Sequence, residues 1–285
     1  MVTIGVFDGV HVGHQALIRH NLQIAQRFDL ESVVVTFEPN PLEVLRPDDA
    51  PTRLCELSRR VELIAGLGVE LVEVVEFDAD LASQTAQEFA QAVLLDRLDA
   101  RHVVIGHGFR FGNRARGTAE TLREAGLAVD EYSLLGDVEP VSSTRIRAAV
   151  AAGDVVEAAA MLGRPHEIAG VVVTGEQRGR ELGFPTANLE HHRRAAVPAD
   201  GVYAGAEVLD GVRHPAAISV GTNPTFDGAE RTVEAYLLDV DSDLYGRRMR
   251  LEFVERLRDT LAFDGVDALV AQMHEDVAVT RRIMG

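Results

Sequence analysis

The sequence predicts a doubly wound α/β domain followed by a small antiparallel β-barrel with a C-terminal helix, and three observations carry that expectation. At 285 residues, 46% hydrophobic and 26% charged, the chain is long enough for two domains with separate cores. From Met1 to about Gly163, short aliphatic runs alternate with longer segments of helical period. Such alternation describes parallel strands joined by crossover helices. After Gly163 the runs are short and separated by glycine-containing turns, the rhythm of a small barrel. The expected domains are therefore residues 1–163 and 164–285.

In the first domain, β-branched and aliphatic runs predict strands at Val2 to Phe7, Ser32 to Phe37, Leu71 to Val75 and His102 to Ile105. Helical period predicts helices at Gly13 to Phe28, Leu57 to Leu67, Ala86 to Leu98 and Thr118 to Ala125. The alanine-rich stretch Ala148 to Leu162, broken at Gly153-Asp154, reads as two short helices. Barrel strands are expected at Glu167 to Val173, Gly201 to Leu209, Val212 to Ser219, Thr232 to Leu238 and Met249 to Phe253. A final helix from Gly265 to Met284 would place Leu269, Val270, Met273, Val277 and Ile283 on its apolar side.

Composition excludes several classes of function. No apolar run approaches the roughly 18 residues of a membrane span. A single cysteine, Cys55, leaves no intrachain disulfide and no cysteine-built metal site, so a reducing cytoplasm is expected. The 28 Lys and Arg stand against 45 Asp and Glu, a formal charge of −17 that repels nucleic acid and acidic membranes. A polyanionic ligand must therefore meet a local cluster of positive groups.

One such place is Gly5-Val-Phe-Asp-Gly9-Val-His11-Val-Gly13-His14, between a strand and a helix. The glycines permit a tight turn and let free N–H groups at the helix start face phosphates. His11 and His14, three apart, share a face from which they can donate hydrogen bonds to a phosphorus transition state. The plainer alternative is that one histidine only caps or packs; zinc is disfavoured because no further ligands stand at a standard spacing. A second place is Ser142-Ser143-Thr144-Arg145-Ile-Arg147, where hydroxyl residues precede a helix and arginines fill its first turn. Cations there oppose the helix dipole unless an anion is bound. A capped surface helix with solvated arginines is the alternative.

In the second half, the loop containing Gly175, Gly179 and Gly183 leads into Pro185-Thr186-Ala-Asn188, read as a rigid turn. Its backbone N–H groups can wrap phosphates, and the Thr186 and Asn188 oxygens suit Mg²⁺. The alternative is an ordinary barrel loop with an Asx turn. Strict alternation in Val233 to Leu237 sets Glu234 and Tyr236 on the face opposite Val233, Ala235 and Leu237. A solvent-facing glutamate is the commoner explanation of such a position.

The phrases GVFDGVHVGH, VTFEPNP (35–41), VSSTRIR (141–147), GRELGFPTANL (179–189), GVYAG (201–205), GTNPTF (221–226), VEAYLLD (233–239) and LYG (244–246) occur in this order. Together they resemble the prokaryotic bifunctional riboflavin kinase/FAD synthetases over nearly the whole chain. The resemblance implies ATP-dependent phosphorylation of riboflavin to FMN by a six-stranded Greek-key barrel. It also implies adenylylation of FMN to FAD, with release of pyrophosphate, by the doubly wound domain. Carried over, His11 and His14 bind the ATP phosphates and the transition state, and Ser142, Ser143, Thr144 and Arg147 help hold the nucleotide. Glu234 is the general base, Thr186 and Asn188 hold Mg²⁺ and ATP, and the flavin lies near Arg258 to Gln272. Two positions depart from the family pattern: Asn40 stands where Pro-His-Pro is usual, and Gly108 where Asp or Asn is usual, with His107 beside it. A kinase with a silent or repurposed first domain, and a flavin- or nucleotide-binding sensor without turnover, are the alternatives.

Overall fold

A computed structural model describes residues 1–133, 141–175, 182–209, 212–225 and 228–285, with backbone alone at 223–225 and 228–230. The chain forms two compact units. One comprises residues 1–51 and 56–142, the other residues 52–55 and 143–285.

The first unit is a five-stranded parallel sheet. Its strands are β1 (Val2–Ile4), β2 (Val33–Glu38), β3 (Leu71–Glu76), β4 (His102–Gly106) and β5 (Ala128–Tyr132), in the order β3-β2-β1-β4-β5. Helices α1 (Val12–Phe28), α2 (Pro41–Leu45), α3 (Leu57–Ala65), α4 (Ala79–Ser83), α5 (Ala86–Phe89) and α6 (Ala119–Glu124) connect them. Val2, Ile4, Val35, Val103 and Ile105 feed one core and Val34 and Val104 another, so successive strand residues face opposite layers, as a doubly covered sheet requires.

Sequence and structure differ at three places here. The first strand stops at Ile4, because Phe7 has a φ of 52° and the chain has already turned. The helix expected over Ala86 to Leu98 is α5 followed by a π-helical run, Ala90–Arg97. β5 was not anticipated, since Ala128-Val-Asp-Glu-Tyr132 is short and charged.

The second unit is a closed antiparallel barrel of β6 (His166–Val173), β7 (Ala187–His191), β8 (Gly201–Leu209), β9 (Val212–Thr225), β10 (Gly228–Leu237) and β11 (Arg248–Arg258), in the order β10-β7-β6-β11-β8-β9. Helices α7 (Ser143–Ala152) and α8 (Val155–Leu162) precede it, and a C-terminal helix (Val266–Met284) packs against β8 and β9. Ile168, Leu189, Tyr203, Ile218, Val233, Leu251 and Phe253 fill the interior. The sixth strand is β7, so Pro185-Thr186-Ala-Asn188 leads into a strand and is not the turn its composition suggests. Ala187 and Leu189 point inward, which leaves Asn188 on the outer wall. The C-terminal helix also departs from expectation. Leu269, Val270, Met273, Val277 and Ile283 are only half-buried, whereas Asp276 and Thr280 are its buried residues.

Two buried titratable groups give the barrel an opposed response to pH. Glu207 on β8 is pushed up to about 7 by burial, partly offset by the hydrogen bond that Arg250 N donates to its carboxylate at 2.6 Å. The folded state thus binds this proton more tightly than the unfolded chain, and its contribution is lost as pH rises from about 4.5 to about 7. His166 is held down at about 4 by burial, its Nε2–H donating to Ala196 O at 2.7 Å, so its contribution is lost as pH falls from 6.5 toward 4. Glu207→Gln keeps the acceptor for Arg250 and removes the buried charge. It should stabilise the protein at pH 8 by about 1–2 kcal/mol and have little effect at pH 4.5, read by thermal melts at both values.

Candidate functional sites

In the first unit the chain leaves β1 through residues 5–10 and enters α1. Gly9 has a φ of 80°, and Phe7 and Val10 take left-handed conformations at 52° and 40°. In non-glycine residues such conformations cost about 1–2 kcal/mol each, so the loop is shaped at the expense of stability. Its carbonyl at Val6 accepts Thr36 Oγ1 at 3.0 Å and Arg60 Nη1 at 2.9 Å.

His11 is the N-cap of α1, its Nδ1 accepting from the His14 backbone N–H at 3.3 Å. That bond assigns the neutral ring's proton to Nε2, which remains a donor. The two imidazoles stack with centroids 3.5 Å apart, and Phe7 meets His14 edge-on at 5.2 Å. Burial, reinforced by the adjacent His11, holds His14 well below the usual histidine range, so it is neutral at pH 7. Its Nδ1 is buried and makes no hydrogen bond among the described residues. Gly13 lies in the first turn of α1, which contains no acidic residue. The capping alternative therefore describes His11, which caps α1 through Nδ1 while its ring stacks on His14.

Gly5 lines a cavity of about 820 Å³ with Phe37, Phe77, Phe109 and Phe111. Arg46, Arg110 and Arg114 border it, the local positive cluster that a chain of net charge −17 needs. Asn40 caps α2, its Oδ1 accepting from Leu42 N at 3.0 Å. Gly108 is exposed, with a φ of 72° and no atom within 4 Å of where a Cβ would stand; His107 is exposed beside it and does not line the cavity. Ser142 ends the first unit, whereas Ser143, Thr144 and Arg147 occupy the first turns of α7 in the second. There Arg147 Nε donates to Thr52 O at 2.6 Å.

The second unit brings its predicted residues together. β7 and β10 pair with Asn188 opposite Glu234. Thr186 Oγ1 donates to Glu234 Oε2 at 3.3 Å. Gly175 closes the group, since a Cβ there would overlap the Asn188 carboxamide. Gly183, with a φ of 86°, turns the chain ahead of Phe184, and Gly179 lies outside the described residues.

Thr186 borders two cavities. One, of about 440 Å³, is lined by Gly175, Asn188 and the segment Val240 to Tyr245. The other, of about 240 Å³, contains Glu234, Phe184, Tyr236, Leu269 and Met273, with Arg258 and Asp276 also on its wall. Arg258 holds Asp276 through Nε at 2.9 Å and Nη2 at 2.6 Å, and lies over Phe263 at 5.9 Å. The aromatic cavity of the first unit and the Val240 to Tyr245 wall were not foreseen, because sequence order alone does not show which motif residues line a common cavity.

An open parallel sheet with a paired-histidine glycine loop at its carboxyl edge, in one chain with a barrel that carries a hydroxyl, carboxamide and carboxylate cluster, defines a two-part phosphotransfer enzyme. The family model described as FAD synthetase matches residues 1–145, and that described as riboflavin kinase matches residues 162–284. Bifunctional riboflavin kinase/FMN adenylyltransferases from Pseudomonas fluorescens and Escherichia coli K12 are each 38% identical. They cover 99% and 100% of this chain, and 92% and 93% of their own length is matched. A crystal structure described as a macrolide-efflux protein from Streptococcus pneumoniae superposes with a TM-score of 0.89 at 37% identity, covering 98% of this chain and 93% of its own. Among the described residues no helix is long and apolar enough to cross a membrane. The chain belongs to the bifunctional riboflavin kinase/FMN adenylyltransferase family, enzymes of flavin cofactor biosynthesis. Membership favours the two-activity reading over a kinase alone or a sensor without turnover.

Proposed function

We propose that residues 164–285 phosphorylate riboflavin and residues 1–163 adenylylate the FMN so formed, each with ATP and Mg²⁺. The observation that carries the kinase assignment is Thr186, which stands between the two cavities and hydrogen-bonds Glu234. The larger, more polar cavity then takes ATP, and the apolar one between the barrel wall and the C-terminal helix takes the flavin. Glu234 accepts the proton of the ribityl 5′-hydroxyl, whose oxygen attacks the γ-phosphorus as ADP leaves.

The donor set fits a hard cation. Thr186 and Asn188 supply neutral oxygens, and among the described residues no three His, Cys, Asp or Glu side chains form a metal cage. Mg²⁺ characteristically takes few protein ligands and completes its shell with phosphate oxygens and water. When bound, it would neutralise charge between the transferring and leaving phosphates.

In the first unit, an FMN phosphate oxygen attacks the α-phosphorus of ATP and pyrophosphate departs. His11 and His14 would donate to the developing charge, with backbone N–H groups at the start of α1 toward the phosphates. Of the Ser142 to Arg147 motif, Ser142 belongs to this unit and would help hold the nucleotide. The aromatic cavity, ringed by arginines, suits the isoalloxazine and phosphate of FMN.

Chromatographic time courses of riboflavin with ATP and Mg²⁺, and separately of FMN with ATP and Mg²⁺, test the assignment. FMN followed by FAD in the first, and FAD in the second, are the expected products; FMN alone would remove the adenylyltransferase half. Gly108→Asn should fold, because asparagine tolerates the left-handed backbone and meets open space. If the missing carboxamide limits the reaction, the variant should form FAD about tenfold faster or better. Asn40→His should add to this, since a histidine can cap α2 through Nδ1 as His11 caps α1; FAD formation unchanged in both variants would show that neither departure is limiting.

A further inference from the structure

We propose that Arg60 is a positioning residue for adenylyl transfer, an inference that rests on the assignment of the His11 loop to that reaction. Arg60 belongs to α3, in the crossover that joins β2 to β3, and at 4% exposure it is among the buried charges of the first unit. A buried guanidinium is costly to desolvate, and its Nε makes no hydrogen bond among the described residues, so it is not buried there for helix stability. Its contacts identify its purpose. Nη1 donates to Val6 O at 2.9 Å and Nη2 to Glu38 Oε2 at 2.6 Å.

These two acceptors lie at the carboxyl ends of adjacent strands. Val6 opens the loop that carries His11 and leads through left-handed Phe7 and Val10, while Glu38 closes β2 immediately before Pro39 and Asn40. Thr36 adds a second donor to the Val6 carbonyl. The rigid planar fork of Arg60 therefore ties the start of the glycine loop to the residue that precedes Pro39-Asn40-Pro41. Phe7 and Val10 seat the strained loop in the core, and the bond to Val6 fixes the strand end from which it departs, so the placement of the His11 ring follows from where Val6 is held. Flexible lysine can reproduce one of these bonds but not the fixed angle between them.

The test uses full-length protein with Arg60→Met, Arg60→Lys and the apolar pair Arg60→Met/Glu38→Leu, with His11→Ala alongside. FAD formation from FMN, riboflavin phosphorylation and melting temperature are measured on the same preparations. Arg60→Met should lower kcat for FAD formation by about 10², with both KM values within about threefold and riboflavin phosphorylation unchanged; Arg60→Lys should fall between. The apolar pair should regain melting temperature, because no charge is left buried alone, but not kcat. Recovery of kcat together with melting temperature would reduce the ion pair to scaffolding and overturn the proposal, as would an Arg60→Met kcat within threefold of wild type. Wild-type activity in His11→Ala would instead overturn the assignment of the loop.

Discussion

Glu234→Gln should form FMN about 10² to 10⁴ times more slowly than the wild type while binding ATP nearly as well. Glutamine matches the length of glutamate and still offers Thr186 an oxygen, so the local geometry of β7 and β10 is retained and only proton acceptance is lost. The 440 Å³ cavity proposed for ATP is not lined by Glu234, so ATP affinity measured by calorimetry should change little. FAD formation from supplied FMN should be unaffected, which gives an internal control for folding. Equal riboflavin turnover by the variant would take the base role away from Glu234 and leave it a partner of Thr186.

His11 supports the second large effect, because its two ring nitrogens can be separated by substitution. His11→Ala removes both the cap and the donor; His11→Asn restores a cap oxygen within reach of the first-turn N–H groups but not the distant Nε2–H. Both should lower FAD formation by about 10² to 10³. Only His11→Ala should also lose about 1 kcal/mol of stability. If His11→Asn is fully active, the ring serves only as a cap. The neutral state of His14 adds a pH signature. With its titration held well below 6.5, its protonation should not slow FAD formation across pH 6.5 to 8. Stability should decline as pH falls below 6.5, because the unfolded chain then binds a proton that the buried ring refuses.

Much of this architecture is legible in the sequence because buried parallel strands write themselves as uninterrupted aliphatic runs, as in Val33-Val-Val35 and His102 to Ile105. β7 escaped because Pro185 and Asn188 are turn residues by chemistry, and only the alternation of Ala187 and Leu189 betrays a strand. β10 shows the converse. Its alternation placed Glu234 on the outer face correctly, but period alone does not say what stands opposite, and the hydroxyl of Thr186 arrives from 48 residues away. The aromatic cavity was illegible for the same reason. Phe37, Phe77 and the Phe109–Phe111 pair come from three segments that only the sheet order brings together. Arg60, in a short amphipathic helix, reads as one more solvated arginine until its burial is known.

The C-terminal helix has a further meaning in the way it is seated. Its most buried side chains are Asp276 and Thr280, and Asp276 is gripped by the two-point fork of Arg258 with Gln272 steadying the same carboxylate at 3.0 Å. Apolar contacts tolerate sliding and rotation, whereas a forked ion pair fixes azimuth and height together. The width of the cavity that the helix closes is therefore set by charges at its margin, not by the bulk of Leu269 and Met273 on its wall. Those wall residues are free to change size and reshape the chamber while the helix keeps its place.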